Sequence, residues 1–176
     1  MLTIYIAGSF KHKHGVRLLG RELRALGCRI LDWTDKAVPP AGLTPAQRRI
    51  WMDTDHDGGA VYAFCCDACR TADLVIYYGA SGQDAGVEVG LAAGAGTPVL
   101  GVCGPLEGPG LMLHGAVDCW VDSIEDALEA VAVLVAAGDA QGRQDRQDRP
   151  EPSRSAPLEK LCRAVRARRA KGSAGL

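Results

Sequence analysis

Short apolar runs alternate with longer amphipathic segments along most of the chain. The first run, Thr3–Ala7, is rich in β-branched and aromatic residues and ends at a Gly-Ser pair. Beyond it, Val16, Leu19, Leu23 and Leu26 recur at the three- and four-residue spacing of one helix face. The pattern predicts a strand, a turn and a helix.

The same alternation predicts four further strands and four further helices. Uninterrupted apolar runs such as Leu74–Tyr78 indicate strands buried on both faces, and Thr44 before Pro45 is typical of a helix start. We interpret residues 33–43 and 104–114 as loops. The predicted strands are 28–32, 74–78, 98–102 and 119–121, and the predicted helices are about 45–52, 61–71, 84–93 and 124–136.

Strands that alternate with helices favour a parallel sheet covered by helices on both faces. A chain of 176 residues is long enough for one such domain. We expect an α/β, flavodoxin-like three-layer sandwich, formed by residues 1–137, with a five-stranded parallel sheet in the order 2-1-3-4-5. Ligands of such sheets bind at the carboxyl ends of the strands, where the strand order reverses.

Residues 138–176 differ in kind from this domain. They hold 10 of the 20 Lys and Arg residues and begin with a polar, low-complexity repeat that has nothing to bury, so we expect a disordered tail. Residues 158–169 have the pattern of a short basic amphipathic helix. A solvated appendage is favoured there over contact with nucleic acid or a membrane.

The charge of the domain is uneven. Residues 1–137 carry 10 basic and 16 acidic side chains, a net charge of about −6, although the whole chain has a net charge of −1. The segment 71–137 has nine acids and no Lys or Arg. Any phosphate group must therefore be held by the N-terminal half of the domain or by backbone amides.

Seven cysteines lie mostly in apolar or helical segments, which suits reduced core thiols better than disulfides. Cys66 and Cys69 have CxxC spacing, but without a second pair or a histidine cluster, packing is favoured over metal binding. No apolar run reaches 18 residues, and the N-terminus lacks the basic flank and cleavage site of a secretory signal. We expect a cytoplasmic protein without a metal or redox cofactor and without membrane contact.

Candidate chemistry follows the central strand. A helix that begins near Asp84 places its free amide donors at the edge of the sheet, where anionic groups bind. Glu88 comes one turn later, so both carboxylates can face one cleft. Spacing alone leaves an equal alternative, in which Asp84 caps the helix and Glu88 faces solvent.

Glycines at positions 79, 82, 86 and 90 frame this segment and leave room for a ligand against the backbone. They do not form the GxGxxG pattern, which should follow the first strand, and the segment lacks the lysine of a phosphate-binding P-loop. No GxSxG is present. An NAD-dependent dehydrogenase and a serine hydrolase are therefore disfavoured.

The chain carries five short motifs in a fixed order: Tyr5-x-x-Gly8-Ser9, Ala72-Asp73, Asp84-x-x-x-Glu88-x-Gly90, Thr97-Pro98-Val99 and Gly110-Leu111-Met112. Together they resemble the nucleoside 2-deoxyribosyltransferase family, which includes deoxynucleoside 5′-monophosphate N-glycosidases and phage-borne members. The resemblance spans about residues 2–135, which leaves only the tail outside.

The resemblance implies that Glu88 attacks the anomeric carbon of a nucleoside and forms a glycosyl-enzyme. A carboxylate close to an oxocarbenium-like transition state suits that chemistry. Tyr5 would hold this nucleophile by a hydrogen bond. The acid that protonates the leaving base in the family would fall at Cys65, so Asp67 is the nearest candidate acid and Asp84 the next.

Phosphate-binding members of the family use a serine and basic residues after the first strand, and the turn here is rich in both. A solvated helix start is the alternative, although cations there oppose the helix dipole. The family also implies a homodimer in which a polar residue of the loop at 109–114 completes the neighbouring subunit's site. The expected Ser or Asn is absent there, so His114 either takes that place or is an ordinary surface residue. The expected substrate-binding residues are Gly8, Ser9, Phe10, Lys11, Lys13, Arg17, Gly79, Ser81, Gly82, Gly86, Met112 and His114.

We therefore expect cleavage of the N-glycosidic bond of a (deoxy)nucleoside or its 5′-monophosphate, completed by hydrolysis or by transfer to another base. The alternative is a non-catalytic nucleotide-binding module that uses the same pocket as a sensor. Release of free base that depends on Glu88 separates the two functions.

Overall fold

The computed structural model describes residues 1–36, 40–53, 58–104 and 108–144, with side chains through residue 138. Its five strands form one parallel sheet in the order β2-β1-β3-β4-β5, which confirms the predicted fold. The strands are β1 (Thr3–Ala7), β2 (Arg29–Leu31), β3 (Leu74–Tyr78), β4 (Val99–Val102) and β5 (Cys119–Val121), and the helices are α1 (Lys13–Ala25), α2 (Pro45–Met52), α3 (Ala60–Thr71), α4 (Gln83–Gly94), α5 (Leu111–Ala116) and α6 (Ile124–Gln144).

Local sequence signals explain where several helices begin and end. Thr44 caps α2 through a capping box with Gln47, and Pro45 occupies its first turn. Past the end of α1, Gly27 has a φ of +84°, a conformation that disfavours other residues. Ser123 accepts a hydrogen bond from the amide of Asp126 and so caps α6. These turns lie where the sequence predicts them.

The helices divide between the two faces of the sheet. Helices α1 and α6 contact each other on one face, whereas α3, α4 and α5 pack on the other. Tyr5 pairs in register with Val75, and Ala7 pairs with Tyr77, so these four side chains point to the same face. The hydrogen bond from Tyr5 to Glu88 of α4 identifies that face as the one covered by α3 and α4.

Aromatic residues fill both ends of the core. Trp33 is buried, and its indole nitrogen donates a hydrogen bond of 2.8 Å to the carbonyl of Ile6. It is therefore a core residue. A Cβ on Gly101 would lie 2.6 Å from the ring of Trp120, so glycine at this position allows that ring to reach Tyr77.

Two predictions of secondary structure were wrong. Residues 111–116 form α5, because Leu113 and Ala116 pack against the core, but so short a helix gives almost no periodicity in the sequence. Helix α6 is described from Ile124 to Gln144, past residue 136, where the sequence predicts its end. The tail predicted to be disordered from residue 138 is therefore helical through Gln144, and the rest of it, with the basic helix predicted at 158–169, lies outside the described residues. No helix within the described ranges combines the length and apolar character that a membrane span requires.

Candidate active site

The carboxylate of Glu88 joins α4 to the first strand. Helix α4 starts after Gly82, whose φ of +84° turns the chain from β3 into the helix. Tyr5 lies on β1 with no exposed surface, and its hydroxyl donates a hydrogen bond of 2.6 Å to Oε1 of Glu88. The contact expected between these two residues is present. It lies beside the pairing of β1 with β3, the point in the sheet where the order of the strands reverses.

The surroundings of Glu88 favour its neutral form. Burial is the main cause that raises the pKa of Glu88 to about 7, and the nearby carboxylate of Asp84 adds to the rise. The hydroxyl of Tyr5, the thiol of Cys65 and the amide of Gly8 oppose it. Atom Oε2 is buried and makes no hydrogen bond of normal geometry among the described residues. A carboxyl group with a raised pKa and with one buried oxygen that lacks a hydrogen bond is typical of a functional site.

Two thiols of α3 complete this group, which we call the Glu88 cluster: Tyr5, Cys65, Cys69 and Glu88. The thiol of Cys65 lies within hydrogen-bonding reach of both Tyr5 and Glu88. Cys69 is one turn further on α3, and the charge of Glu88 acts on it. Burial raises the pKa of Cys65 to about 12 and also raises the pKa of Cys69, so both thiols stay protonated at neutral pH.

Asp67 is placed on the other side of α3. It is exposed and lies two positions from each of Cys65 and Cys69, which turns it by about 200° around the helix. The structure therefore does not bring this candidate acid to Glu88. Asp84 is exposed in the first turn of α4, one turn before Glu88, and Gly82 takes the N-cap position without a side-chain cap. Asp84 thus does not cap the helix, and it stays the nearer of the two candidate acids.

The polar residues predicted to bind phosphate in and after the turn that follows β1 differ in their contacts. Ser9 caps a short 3₁₀ turn, Phe10–His12, by accepting a hydrogen bond from the amide of Lys11. Arg17 is already engaged: its Nε donates to Thr34 at 3.0 Å, and its guanidinium forms an ion pair with Asp35. Lys11 and Lys13 form no ion pair with any residue in the described ranges. Of the three predicted cations, these two lysines are available for a ligand.

Phe10 extends the same edge of the sheet as an exposed aromatic ring. Its ring meets Trp33 edge-on, with centroids 5.1 Å apart, and 47% of Phe10 stays exposed. Nearby, the ammonium of Lys36 lies 4.7 Å from the ring centre of Phe64, which precedes Cys65 on α3. Sequence reasoning did not identify Lys36, Phe64 or Cys69, because each depends on a contact between distant segments.

The loop between β3 and α4 is shaped by its small residues. Ser81 donates a hydrogen bond to the carbonyl of Tyr78, and Ala80 has a φ of +54°. The predicted residues Gly79, Ser81 and Gly82 thus build the loop, and whether they touch substrate stays a prediction. A Cβ on Gly8 would lie 2.8 Å from Val16, whereas one on Gly86 would meet nothing within 4 Å. Gly8 is required for packing, and Gly86 leaves open space.

Met112 and His114 lie on α5. The ring of His114 stacks on Trp120, with centroids 6.2 Å apart and an angle of 8° between the planes. Met112 is 86% exposed. Whether either residue serves the site of a second subunit stays a prediction.

A cavity of about 360 Å³ opens at the carboxyl ends of β3, β4 and β5. Tyr78 and Val102 contribute to its floor and alternate with Tyr77 and Gly101, so it opens on the α6 face of the sheet, away from Glu88. Of the predicted substrate-binding residues, Gly79 lines it. The remaining lining residues are His12, Ala80, Cys103, Gly104, Asp122, Ser123, Ile124 and Glu125. No group of side chains in the described ranges has the make-up of a metal site.

Known structures share this fold. A 2-deoxyribosyltransferase from Bacillus psychrosaccharolyticus superposes with a TM-score of 0.54 at 19% identity, covering 72% of this chain and 90% of its own. A CMP N-glycosidase, BcmB, from Clostridium botulinum gives a TM-score of 0.46 at 13% identity, covering 73% and 97%. No family model matches the sequence, and no curated protein sequence matches it. At 19% identity, the first likeness establishes the fold.

Proposed function

We propose that this protein cleaves the N-glycosidic bond of a nucleoside or nucleotide, with Glu88 as the nucleophile. The observation that carries the proposal is the Glu88 carboxylate itself. It is enclosed where the strand order reverses and held by Tyr5 through one oxygen, while the other oxygen is buried and makes no hydrogen bond of normal geometry among the described residues. The fold shared with a 2-deoxyribosyltransferase supports the same activity.

The reaction proceeds in two steps. Glu88, in its ionised form, attacks the anomeric carbon as the bond to the base breaks, which gives a glycosyl ester of Glu88. Water, or a second base, then attacks the same carbon and releases the carboxylate. The hydrogen bond from Tyr5 fixes Oε1, so that Oε2 is the oxygen that reacts once substrate displaces the groups that enclose it.

The rest of the substrate is held at the same edge of the sheet. Lys11 and Lys13 are exposed or half-exposed, outside any described ion pair, and bind a 5′-phosphate in this proposal. The exposed ring of Phe10 offers a surface on which the base stacks. Arg17 is committed to Asp35 and Thr34, so it supports the turn and does not contact phosphate.

The active form in this proposal is a homodimer with shared sites. Exposed apolar side chains on α4 and α5 support it: Val87 is 60% exposed, Leu111 85% and Met112 86%. A second copy that covers this surface would bring its own Met112 and His114 towards the substrate. The buried, reduced thiols of α3 support a cytoplasmic location.

The test is a panel of ribo- and deoxyribonucleosides and their 5′-monophosphates, with free base measured by chromatography. We expect base release from at least one compound, and its loss in Glu88→Gln. The matched control is Glu22→Gln, the same change at an exposed glutamate of α1 that pairs with Arg21. Tight nucleotide binding without base release across the panel would establish the sensor function and refute the enzyme.

A further inference from the structure

We propose that the preferred substrates are N-glycosides whose base carries a positive charge, such as a ring nitrogen that is alkylated or part of a pyridinium. This inference rests on the proposed function and specifies the substrate class of the same site. Such a base leaves as a neutral molecule and needs no proton. An ordinary purine or pyrimidine leaves as an anion unless an acid protonates it.

The groups that face Glu88 are poor proton donors. From β1 comes the phenol of Tyr5, and from α3 come the thiols of Cys65 and Cys69. Burial raises the pKa of all three, so each holds its proton firmly at neutral pH. The carboxyl of Asp67 points away on the opposite side of α3. The cluster therefore suits a nucleophile and does not suit acid catalysis.

The charge around the site also favours a cation. Helix α4 carries no Lys or Arg, and its two charged residues are Asp84 and Glu88. Asp84 adds a second carboxylate one turn from Glu88. A positively charged ring is attracted to both carboxylates, whereas an anionic leaving group is repelled by them. The exposed face of Phe10 provides a cation–π surface on the same edge.

The atoms and charges balance without an acid. The bond between the anomeric carbon and the ring nitrogen breaks, and both of its electrons go to the nitrogen, which becomes neutral. A carboxylate oxygen of Glu88 forms the new bond to carbon. Water then attacks that carbon and the ester bond breaks, which regenerates the carboxylate and releases the sugar and one proton to solvent.

The test compares GMP with 7-methyl-GMP, each as ribose and deoxyribose forms, because methylation at N7 adds the charge and changes little else. General acid catalysis typically contributes about 10²–10⁴-fold. We therefore expect kcat/KM for the methylated nucleotide to exceed that for its parent by at least about 100-fold. Base release from both compounds within about tenfold of each other would overturn the inference and leave the proposed function standing. Release from none of these compounds and from no member of the earlier nucleoside panel refutes the proposed function itself.

Three variants locate the effect. Cys65→Asp places a carboxyl beside Glu88 and should raise the rate with GMP alone by about tenfold or more, whereas Cys65→Ser should not; an unchanged preference in Cys65→Asp would contradict the inference. Asp84→Asn should lower the rate with the methylated nucleotide by about threefold, because it removes a carboxylate that attracts the charged ring. A loss confined to GMP would make Asp84 the acid and overturn the inference. Circular dichroism checks that each variant folds. If Cys65→Asp does not fold, the ratio of the wild-type kcat/KM values for 7-methyl-GMP and GMP is the test of the inference.

Discussion

Two regions at the carboxyl edge of the sheet differ in how far their charged side chains are exposed to solvent. In the Glu88 cluster, one carboxylate is enclosed by a phenol and two thiols, and burial shifts its pKa. In the turn after β1, Lys11 and Lys13 lie in or near solvent without an ion pair in the described ranges. A buried charge is costly and is retained where chemistry needs it, whereas exposed charges attract a ligand at little cost. In the proposed function, this difference separates the region that breaks the bond from the region that binds the phosphate.

The largest effect should come from removing the buried charge. The pKa of Glu88 is about 7 in the folded chain, against an ordinary value of 4.5. Between these values the unfolded chain has lost a proton that the folded chain retains, so stability falls as pH rises through this window. Glu88→Gln should therefore gain stability relative to wild type as pH rises from about 4.5 to 8, by up to about 3 kcal/mol. Urea unfolding at several pH values measures this.

The same substitution in solvent provides the control for that experiment. Glu22→Gln should change the free energy of unfolding little at any pH, since Glu22 is an exposed residue of α1. If the curves for Glu88→Gln and wild type run parallel from pH 4.5 to 8, Glu88 does not carry a raised pKa.

Tyr5→Phe should have the next largest effect. It removes one hydrogen bond to a charged group, worth about 1.5–3 kcal/mol, so kcat should fall by about 10- to 100-fold. Because that bond lowers the pKa of Glu88, its loss should also move the acidic limb of the kcat profile to higher pH. The wild-type limb should lie near pH 7. A drop in kcat with an unmoved limb would mean that Tyr5 acts only through packing.

Changes in the turn after β1 should be smaller and confined to binding. Lys11→Ala with Lys13→Ala should raise KM for a 5′-monophosphate by about tenfold and leave KM for the matching nucleoside unchanged, since about 1.4 kcal/mol of charge contact is lost. Arg17→Ala should leave the ratio of the two KM values as in wild type, because Arg17 is held by Asp35. Equal effects of the lysine change on nucleotide and nucleoside would argue against a phosphate contact.

The smallest effect is expected at Asp67. Asp67→Asn should change kcat/KM by less than about twofold, because this side chain is exposed on the far side of α3. Steady-state assays of base release measure it. A loss of tenfold or more would restore Asp67 as the acid and would require α3 to turn in the substrate complex.

The sequence predicts the fold well because every strand and most helices carry their own signal, such as the apolar run of β3 or the cap at Thr44, whereas the short helix α5 does not. The contact between Tyr5 and Glu88 could be predicted only from the order of the family's motifs, because the two residues are 83 positions apart in the sequence. Cys69 and the engagement of Arg17 with Asp35 were not predicted. Both depend on tertiary contacts that form when a helix or loop packs on the sheet, and no local sequence pattern predicts those contacts.

The most direct test of the central role of Glu88 is mass spectrometry of the protein quenched during turnover. We expect the peptide that contains Glu88 to gain the mass of the glycosyl group, in an amount that rises when the second step is slowed, and we expect no such peptide from Glu88→Gln. Continued base release by Glu88→Gln, or a glycosyl group attached to another residue, would contradict the account.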